Sequence, residues 1–402
     1  MSRLDELIQE LCPNGVEYKT VSSISKNITS GGTPKTGVAE YYNGDIPWLR
    51  TQEVNFDDIT DTGVKITQLG VDNSSAKWIP ENCVIVAMYG ATVGKVAINK
   101  IPMTTNQACC NIELDKEKAL YRYVFHCLCN QYQYIKSLGQ GSQTNINAQI
   151  VKKLTIPVQP LEVQSEIVRI LDNFTELTAE LTAELTARKK QYEYYRNKLL
   201  SFNELIKSGG CQLKKLREIA EYSHKRINAI AMKKDNYVGV DNLLPNKAGK
   251  VGSNYVPTKG NLTAYVIGDV LIGNIRPYLK KIWLAYNEGG ASGDVLVIHL
   301  TDQSVDVKYL YQVLADDKFF NYNMQFAKGA KMPRGSKQKI MDYIIPVPSL
   351  EEQRRIVSIL DKFDMLTTSI SEGLPKEIEL RRKQYEYYRN QLLSFPDNKT
   401  TA

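Results

Sequence analysis

The sequence predicts an α+β protein: two mixed α/β domains joined by two long antiparallel coiled-coil helices, related by an internal pseudo-twofold repeat. Three observations predict it. Lys190 to Asn197 reads KQYEYYRN, and Lys383 to Asn390 repeats all eight residues; each copy then runs through one variable residue into LLSF, at 199–202 and 392–395. Upstream, IPVQPLEVQSEIVRILDNF (156–174) aligns with IPVPSLEEQRRIVSILDKF (345–363). The offset is 189 in that block and 193 in the tyrosine block, so the second copy holds four extra residues between Phe363 and Lys383. Third, apolar residues in both copies step by threes and fours, the period of a helical seam.

Each half begins with an echo, EYKTVSSIS (17–25) against QLKKLREIA (212–220). Short apolar runs follow at similar places. NCVIVAMYG (82–90) pairs with GDVLIGNI (268–275), and QACCNIEL (107–114) with VLVIHL (295–300). These read as strands. LYRYVFHCLCNQYQYIKS (120–137) and KYLYQVLADDKFFNYNM (308–324) are helical in period. The proline-rich strings IPVQP and IPVPS read as hinges into the long helices.

The first long helix is expected from Glu162 to about Lys207, with a seam through Val163, Ile167, Ile170, Phe174, Leu177 and Leu181. Leu185, Arg188, Tyr192, Tyr195, Leu199 and Phe202 continue it after a four-residue stutter. The second copy supplies Ile356, Ile359, Phe363, Leu366 and Ile370, then Ile378, Arg381, Tyr385, Tyr388, Leu392 and Phe395. Gly373 and Pro375 predict a kink or short link. Expected segments are therefore a first globular domain at 1–157, a spacer helix at 158–207, a second globular domain at 208–346, and a second spacer helix with a tail at 347–402.

Composition narrows function. With 402 residues, 43% apolar and 24% charged, the chain suits two to four ordinary globular domains and excludes a collagen or a disulfide-stapled miniature. No run approaches 18 apolar residues, and the first residues lack a signal peptide's basic and apolar regions, so a cytoplasmic protein is expected. Seven cysteines without a C-x-x-C spacing, and histidines only at 126, 224 and 299, discourage a metal site. Cys127 and Cys129 read as buried thiols on a helix. A net charge of +7 leans mildly toward polyanions. No phosphate-cradle, dinucleotide or serine-nucleophile motif is present: GATVGKV (90–96) and GQGSQT (139–144) each fall short.

What the loops do offer suits nucleic acid. TSGGTPKT (29–36) carries Thr33 and Lys35 among glycines; IPWLRTQEV (46–54) carries Trp48, Arg50, Thr51, Gln52 and Glu53; MYGATVGKV (88–96) carries Tyr89, Thr92 and Lys95. Gln143 lies in the amide-rich stretch 139–153. The second half matches with Asn274, Arg276, Tyr278 and Lys280 in NIRPYLKK, and Lys331, Arg334 and Lys337 in AKGAKMPRGSKQK. Arginine and lysine recognise guanine edges, and asparagine and glutamine adenine edges, in the major groove. The bland alternative is that loops are polar anyway.

At these residues the chain resembles the specificity subunit of a type I restriction–modification enzyme. The strings that carry the resemblance are GGTPKTGVAEYYNGDIPWLRTQEV (31–54), IPVPSLEEQRRIVSILDKFD (345–364), GLPKEIELRRKQYEYYRN (373–390) and TELTAELTAELTARKKQYEYYR (175–196). The tandem TAEL, Thr178–Leu181 and Thr182–Leu185, resembles the type IC branch. The resemblance implies two target recognition domains, each reading half of a split double-stranded DNA sequence. It implies two adenine-methylating modification subunits that bind S-adenosylmethionine. It implies restriction subunits that use ATP and magnesium, no membrane, and no catalytic residue, metal or cofactor in this chain. Thr178, Leu181, Thr182 and Leu185 become spacer residues. The tyrosine blocks have two readings, contact with DNA phosphates between the half-sites or helix packing and partner docking; the recurrence of one block in both helices favours packing and docking for Tyr192, Tyr195, Tyr385 and Tyr388. Two rivals remain at this point: a nuclease acting alone, and a coiled-coil scaffold that binds no DNA.

Overall fold

The computed structural model describes residues 2–139, 145–207, 210–368 and 373–398. The chain divides into two compact units that are not consecutive in sequence: 1–180 with 378–402, and 181–377. This departs from four successive segments. The long helix Leu161–Leu199 begins in the first unit and ends in the second, and the helix Leu374–Leu392 gives most of its length to the first.

Each unit repeats one plan. In the first, Glu17–Thr20 pairs antiparallel with Thr155–Val158; in the second, Cys211–Lys215 pairs antiparallel with Ile344–Pro348. The proline-rich strings are therefore strands rather than hinges, because a two-stranded ribbon leaves edges where a missing N–H costs nothing. The main sheet of the first unit runs Ser25–Ser30, Cys109–Leu114, Val84–Ala87, Val96–Asn99 and Asp58–Ile59. That of the second runs Ala220–Tyr222, Val295–Leu300, Val270–Gly273 and Ile282–Leu284 in the corresponding order. A second sheet repeats too. Trp48–Leu49 lies parallel to Thr104–Thr105, as Tyr237–Val238 lies parallel to Gly290–Ala291.

A helix covers the main sheet in each unit. Tyr121–Asn130 buries Tyr123, Phe125, Cys127 and Leu128; Val307–Leu314 buries Tyr309, Leu310 and Val313. Burial pushes the thiols of Cys127 and Cys129 up to about 12, so they are inert packing groups. Tyr123 donates its hydroxyl to the carbonyl of Pro157 at 2.9 Å, and Tyr309 to that of Pro346 at 2.8 Å. This fixes the correspondence of the two helices and makes Gln312 the counterpart of His126.

The long helices pack on two sides. Val163, Ile167 and Leu171 are fully buried in the first core, and Ile356 and Leu360 in the second. Phe174 stacks on Tyr388 within the first unit, and Tyr195 stacks on Phe363 within the second. The start of each helix is pinned by a buried glutamine. Gln164 accepts the N–H of Leu120 at 2.9 Å and donates to Gln159 O at 2.7 Å and Lys118 O at 3.1 Å. Gln353 accepts the N–H of Asp306 at 2.7 Å and donates to Pro348 O at 2.8 Å and Ser304 O at 2.9 Å. The first helix stops at Leu199, and Phe202–Lys207 forms a separate turn. The helix Leu350–Thr368 and its successor are separated near Gly373, whose φ of +82° and approach to the Met365 carbonyl admit no Cβ.

The repeated tyrosine blocks grip these covering helices. In the second unit, Arg196 donates to Tyr192 and to the side chain and carbonyl of Gln312, with Asp316 at 3.8 Å. In the first unit, Arg389 donates to Asn130 at 3.2 Å, and Tyr385 meets His126 Nδ1 at 2.9 Å. His126 is fully buried; its Nε2 faces Asp172 at 2.8 Å, and Arg122 holds that carboxylate from the other side. A neutral ring fits both partners, donating to Asp172 and accepting from the tyrosine hydroxyl.

Two outcomes follow from these grips. Arg196→Ala leaves a buried carbonyl and carboxylate without their cation, a loss of about 3 kcal/mol, read as faster hydrogen exchange in Val307–Leu314. Desolvation holds the His126 pKa below 6.5, with Asp172 opposing. The unfolded chain therefore binds more protons, and stability is lost as pH falls through that value. His126→Gln should flatten the fall in melting temperature between about pH 7 and pH 5.

Candidate nucleic-acid interface

In the first unit the expected loop residues form one cluster. Gly31 lies so close to the Thr105 carbonyl that no Cβ fits, and Gly32 donates its N–H there at 2.9 Å. This presses the Gly-Gly-Thr-Pro loop onto the second sheet. Trp48 is 5% exposed, and its indole N–H donates to Gly32 O at 2.9 Å. Thr33 bonds Gln107, and Lys35 projects outward. The Thr92 hydroxyl donates to Thr51 O at 2.7 Å, tying the Tyr89–Lys95 turn to the 50–53 turn. Tyr89 is exposed at its tip.

The second unit builds its cluster from 274–281 and 328–337. Arg334 and Lys328 exchange main-chain hydrogen bonds, each 2.9 Å. Arg276 donates its N–H to Pro333 O at 2.7 Å, and Gly335 donates to Asn274 O at 3.1 Å. Gly335 has no room for a Cβ beside the Asn323 and Asn274 side chains. Arg276 and Lys280 both have φ of +52°, a left-handed conformation costly for a side chain of this kind. Tyr278, Lys331 and Lys337 are exposed.

Several expectations change on these facts. Trp48, Thr51 and Asn274 are buried, so they shape the loops and present no side chain at the surface. Lys95 donates to Asn55 at 2.6 Å, and Arg50 leans on Glu53 at 3.5 Å. Lys280 pairs with Asp317 at 2.8 Å, and Arg334 with Asp294 at 3.0 Å. Gln143 lies outside the described residues. Tyr192 and Tyr385 are engaged internally, because their hydroxyls meet Arg196 and His126. Tyr195 and Tyr388 stay partly exposed, whereas their neighbours Tyr194 and Tyr387 are 62% and 60% exposed.

Sequence reasoning missed a second-unit counterpart of 48–53. The N–H of Asn106 bonds Leu49 O, and the N–H of Ser292 bonds Val238 O, both at 2.9 Å. Leu49 thus corresponds to Val238, and Arg50, Gln52 and Glu53 to Gly239, Asp241 and Asn242. The signal was a shared aromatic–aliphatic pair before a polar turn, WLRTQE against YVGVDN, too short to align without the strands.

Among the described residues no group of three or more His, Cys, Asp or Glu side chains could hold a metal, and no helix is long and apolar enough to cross a membrane.

Comparison with known proteins agrees with the duplicated plan. The family model described as the type I restriction modification DNA specificity domain matches twice, over residues 13–188 and 202–380. The type I restriction enzyme EcoR124I/EcoR124II specificity subunit of Escherichia coli is 35% identical over 322 residues, covering 72% of this chain and 74% of that protein. The EcoprrI specificity subunit of Escherichia coli is 31% identical over 402 residues, covering 92% and 93%. Two solved structures share the fold at 17% identity. One, from a study of assembly and conformational transition of the type I R-M system, has a TM-score of 0.60 and covers 95% of this chain and 98% of its own. The other, the S subunit of a type I restriction–modification system from M. genitalium, has a TM-score of 0.54 and covers 95% and 97%. Two copies of the domain across nearly its whole length establish that the chain belongs to the type I restriction–modification DNA specificity family, as a DNA-recognition subunit and not an enzyme in its own right.

Proposed function

We propose that this chain directs a type I restriction–modification assembly to a bipartite DNA sequence, one half read by each unit. The observation that supports this most is the duplicated loop cluster, raised on the same order of strands in both units. Two modification subunits, carrying S-adenosylmethionine, methylate adenine at the site. Restriction subunits supply the ATP- and magnesium-dependent cleavage. The working compartment is the cytoplasm, where the DNA is.

Exposed cations on the loops, Lys35, Lys331 and Lys337, hold phosphates, while Tyr89, Thr33, Arg276 and Tyr278 face bases or sugars. Tyr194 with Tyr195, and Tyr387 with Tyr388, present the same aromatic pair twice, with ring centroids 5.4 Å apart in both. A repeated surface suits two copies of one partner. This moves docking from Tyr192 and Tyr385 to their exposed neighbours.

The TAEL stretch sets the gap between the half-sites in this reading. Thr178, Leu181, Thr182 and Leu185 all lie within one uninterrupted helix. Four helical residues advance about 6 Å and rotate a net of about 40°. One base pair advances about 3.4 Å and rotates about 35°. The rotations match, and tilt or bending absorbs about 3 Å.

The first experiment is genome-wide adenine-methylation mapping in cells expressing the chain with its modification subunit. A split motif with a fixed gap is expected, lost when the chain is deleted. Deleting Thr182–Leu185 should shorten the gap by one base pair and leave both half-sites unchanged; new half-site bases or an unchanged gap would refute the spacer role. Lys331→Ala and Lys337→Ala should each reduce the slope of log affinity against log salt by about 1, with the motif intact.

A further inference from the structure

In the second unit a cavity of about 340 Å³ opens between the 237–241 turn, the 275–281 loop, Ser292, Asp294 and Met332. Asp241 and Arg276 both line it. The cationic loop residues around it are already engaged: Arg334 with Asp294, Lys280 with Asp317, and Lys281 with the carbonyl of Val240 at 2.6 Å. Arg276 differs. Among the described residues its guanidinium has no ion pair, and its Nε is buried without a hydrogen-bond partner. Asp241 is exposed and likewise has no ion pair or hydrogen bond among the described residues. Of the two carboxylates in the lining, Asp294 is taken by Arg334, so Arg276 and Asp241 share the cavity without an internal partner among the described residues.

The buried Nε of Arg276 carries a desolvation cost that a ligand can offset. A free carboxylate on a DNA-facing surface is repelled by phosphates, so it belongs there only if it accepts from a base amino group. The base edges state which. On a G·C pair the guanine O6 and N7 acceptors lie beside the cytosine N4 amino donor in the major groove. Arginine donates two hydrogen bonds to the first and aspartate accepts from the second. An A·T pair sets an amino group against Arg276 and a carbonyl against Asp241. A C·G pair reverses both partners. A T·A pair leaves Arg276 a single acceptor. The left-handed backbone of Arg276, fixed by its N–H on Pro333 O and by Pro277, holds the side chain for this task.

We propose that Asp241 and Arg276 together read one G·C pair in the half-site of the second unit, with Asp241 as a specificity-determining residue. This rests on the DNA-specificity reading above. The topologically matching residue in the first unit is Gln52, exposed, whose amide suits an adenine edge instead.

The test is methylation mapping of wild type, Asp241→Asn and Arg276→Ala, each expressed with the modification subunit. In parallel, the purified complexes are titrated with duplexes changed one pair at a time. Wild type should require G·C at one position of one half-site. Asp241→Asn should cut discrimination there at least tenfold and admit A at the cytosine position. Arg276→Ala should relax the same position, and the other half-site and the gap should not move. An unchanged motif with Asp241→Asn overturns the proposal. So does relaxation at a position different from that of Arg276→Ala, or a uniform loss of binding with an unchanged melting temperature. A wild-type chain that yields no split motif fails the specificity reading itself, which separates the two failures.

Discussion

The side-chain amides of Gln164 and Gln353 hold the architecture together. Each is fully buried and saturates three backbone groups where a recognition domain hands over to its helix. A buried amide with both N–H groups and its carbonyl engaged is rigid, because any tilt leaves a donor or acceptor unsatisfied at about 1–3 kcal/mol. The helix direction is thereby fixed relative to the sheet it leaves. The loops that rise from the same sheet inherit that orientation. The tyrosine–arginine blocks close the arrangement from the other end of each helix pair.

Electrostatics then sorts the loop cations. A guanidinium paired to a carboxylate, as Arg334 is to Asp294, spends its charge on shaping the loop. Lys280 and Lys247 share Asp317, which stitches the 245–249 turn to the 277–280 turn. Among the described residues Lys35, Lys331 and Arg276 have no ion pair, so their charge is not consumed internally. Counting basic residues in a loop overestimates the binding surface, because part of that charge is consumed internally.

The repeat, the long helices and two inner strands of each main sheet were legible in the sequence, because they rest on periodicity and on strings shared by both halves. The buried thiols of the Tyr121–Asn130 helix were legible for the same reason. The proline strings misled: Pro157 and Pro346 suggested breaks, but ribbon edges tolerate them. Trp48 misled because an aromatic beside an arginine suits both stacking and packing, and only its bond to Gly32 decides. Tyr192 and Tyr194 differ by two positions in one block, so which faces solvent depends on helix rotation against Gln312 and Phe363. Asp241 escaped notice because its correspondence to Gln52 exists in strand pairing and not in residue identity.

Each recognition domain is completed by a tyrosine block that arrives from the opposite half of the chain, and both blocks are the same eight residues. The grip tolerates different counterparts, His126 with Asn130 in one domain and Gln312 with Asp316 in the other. A domain brought in by recombination at those shared strings would find its clasp waiting, whatever its loops say. The grip resides in the helices and the shared strings, so a domain with different loops meets the same clasp without redesign of the scaffold.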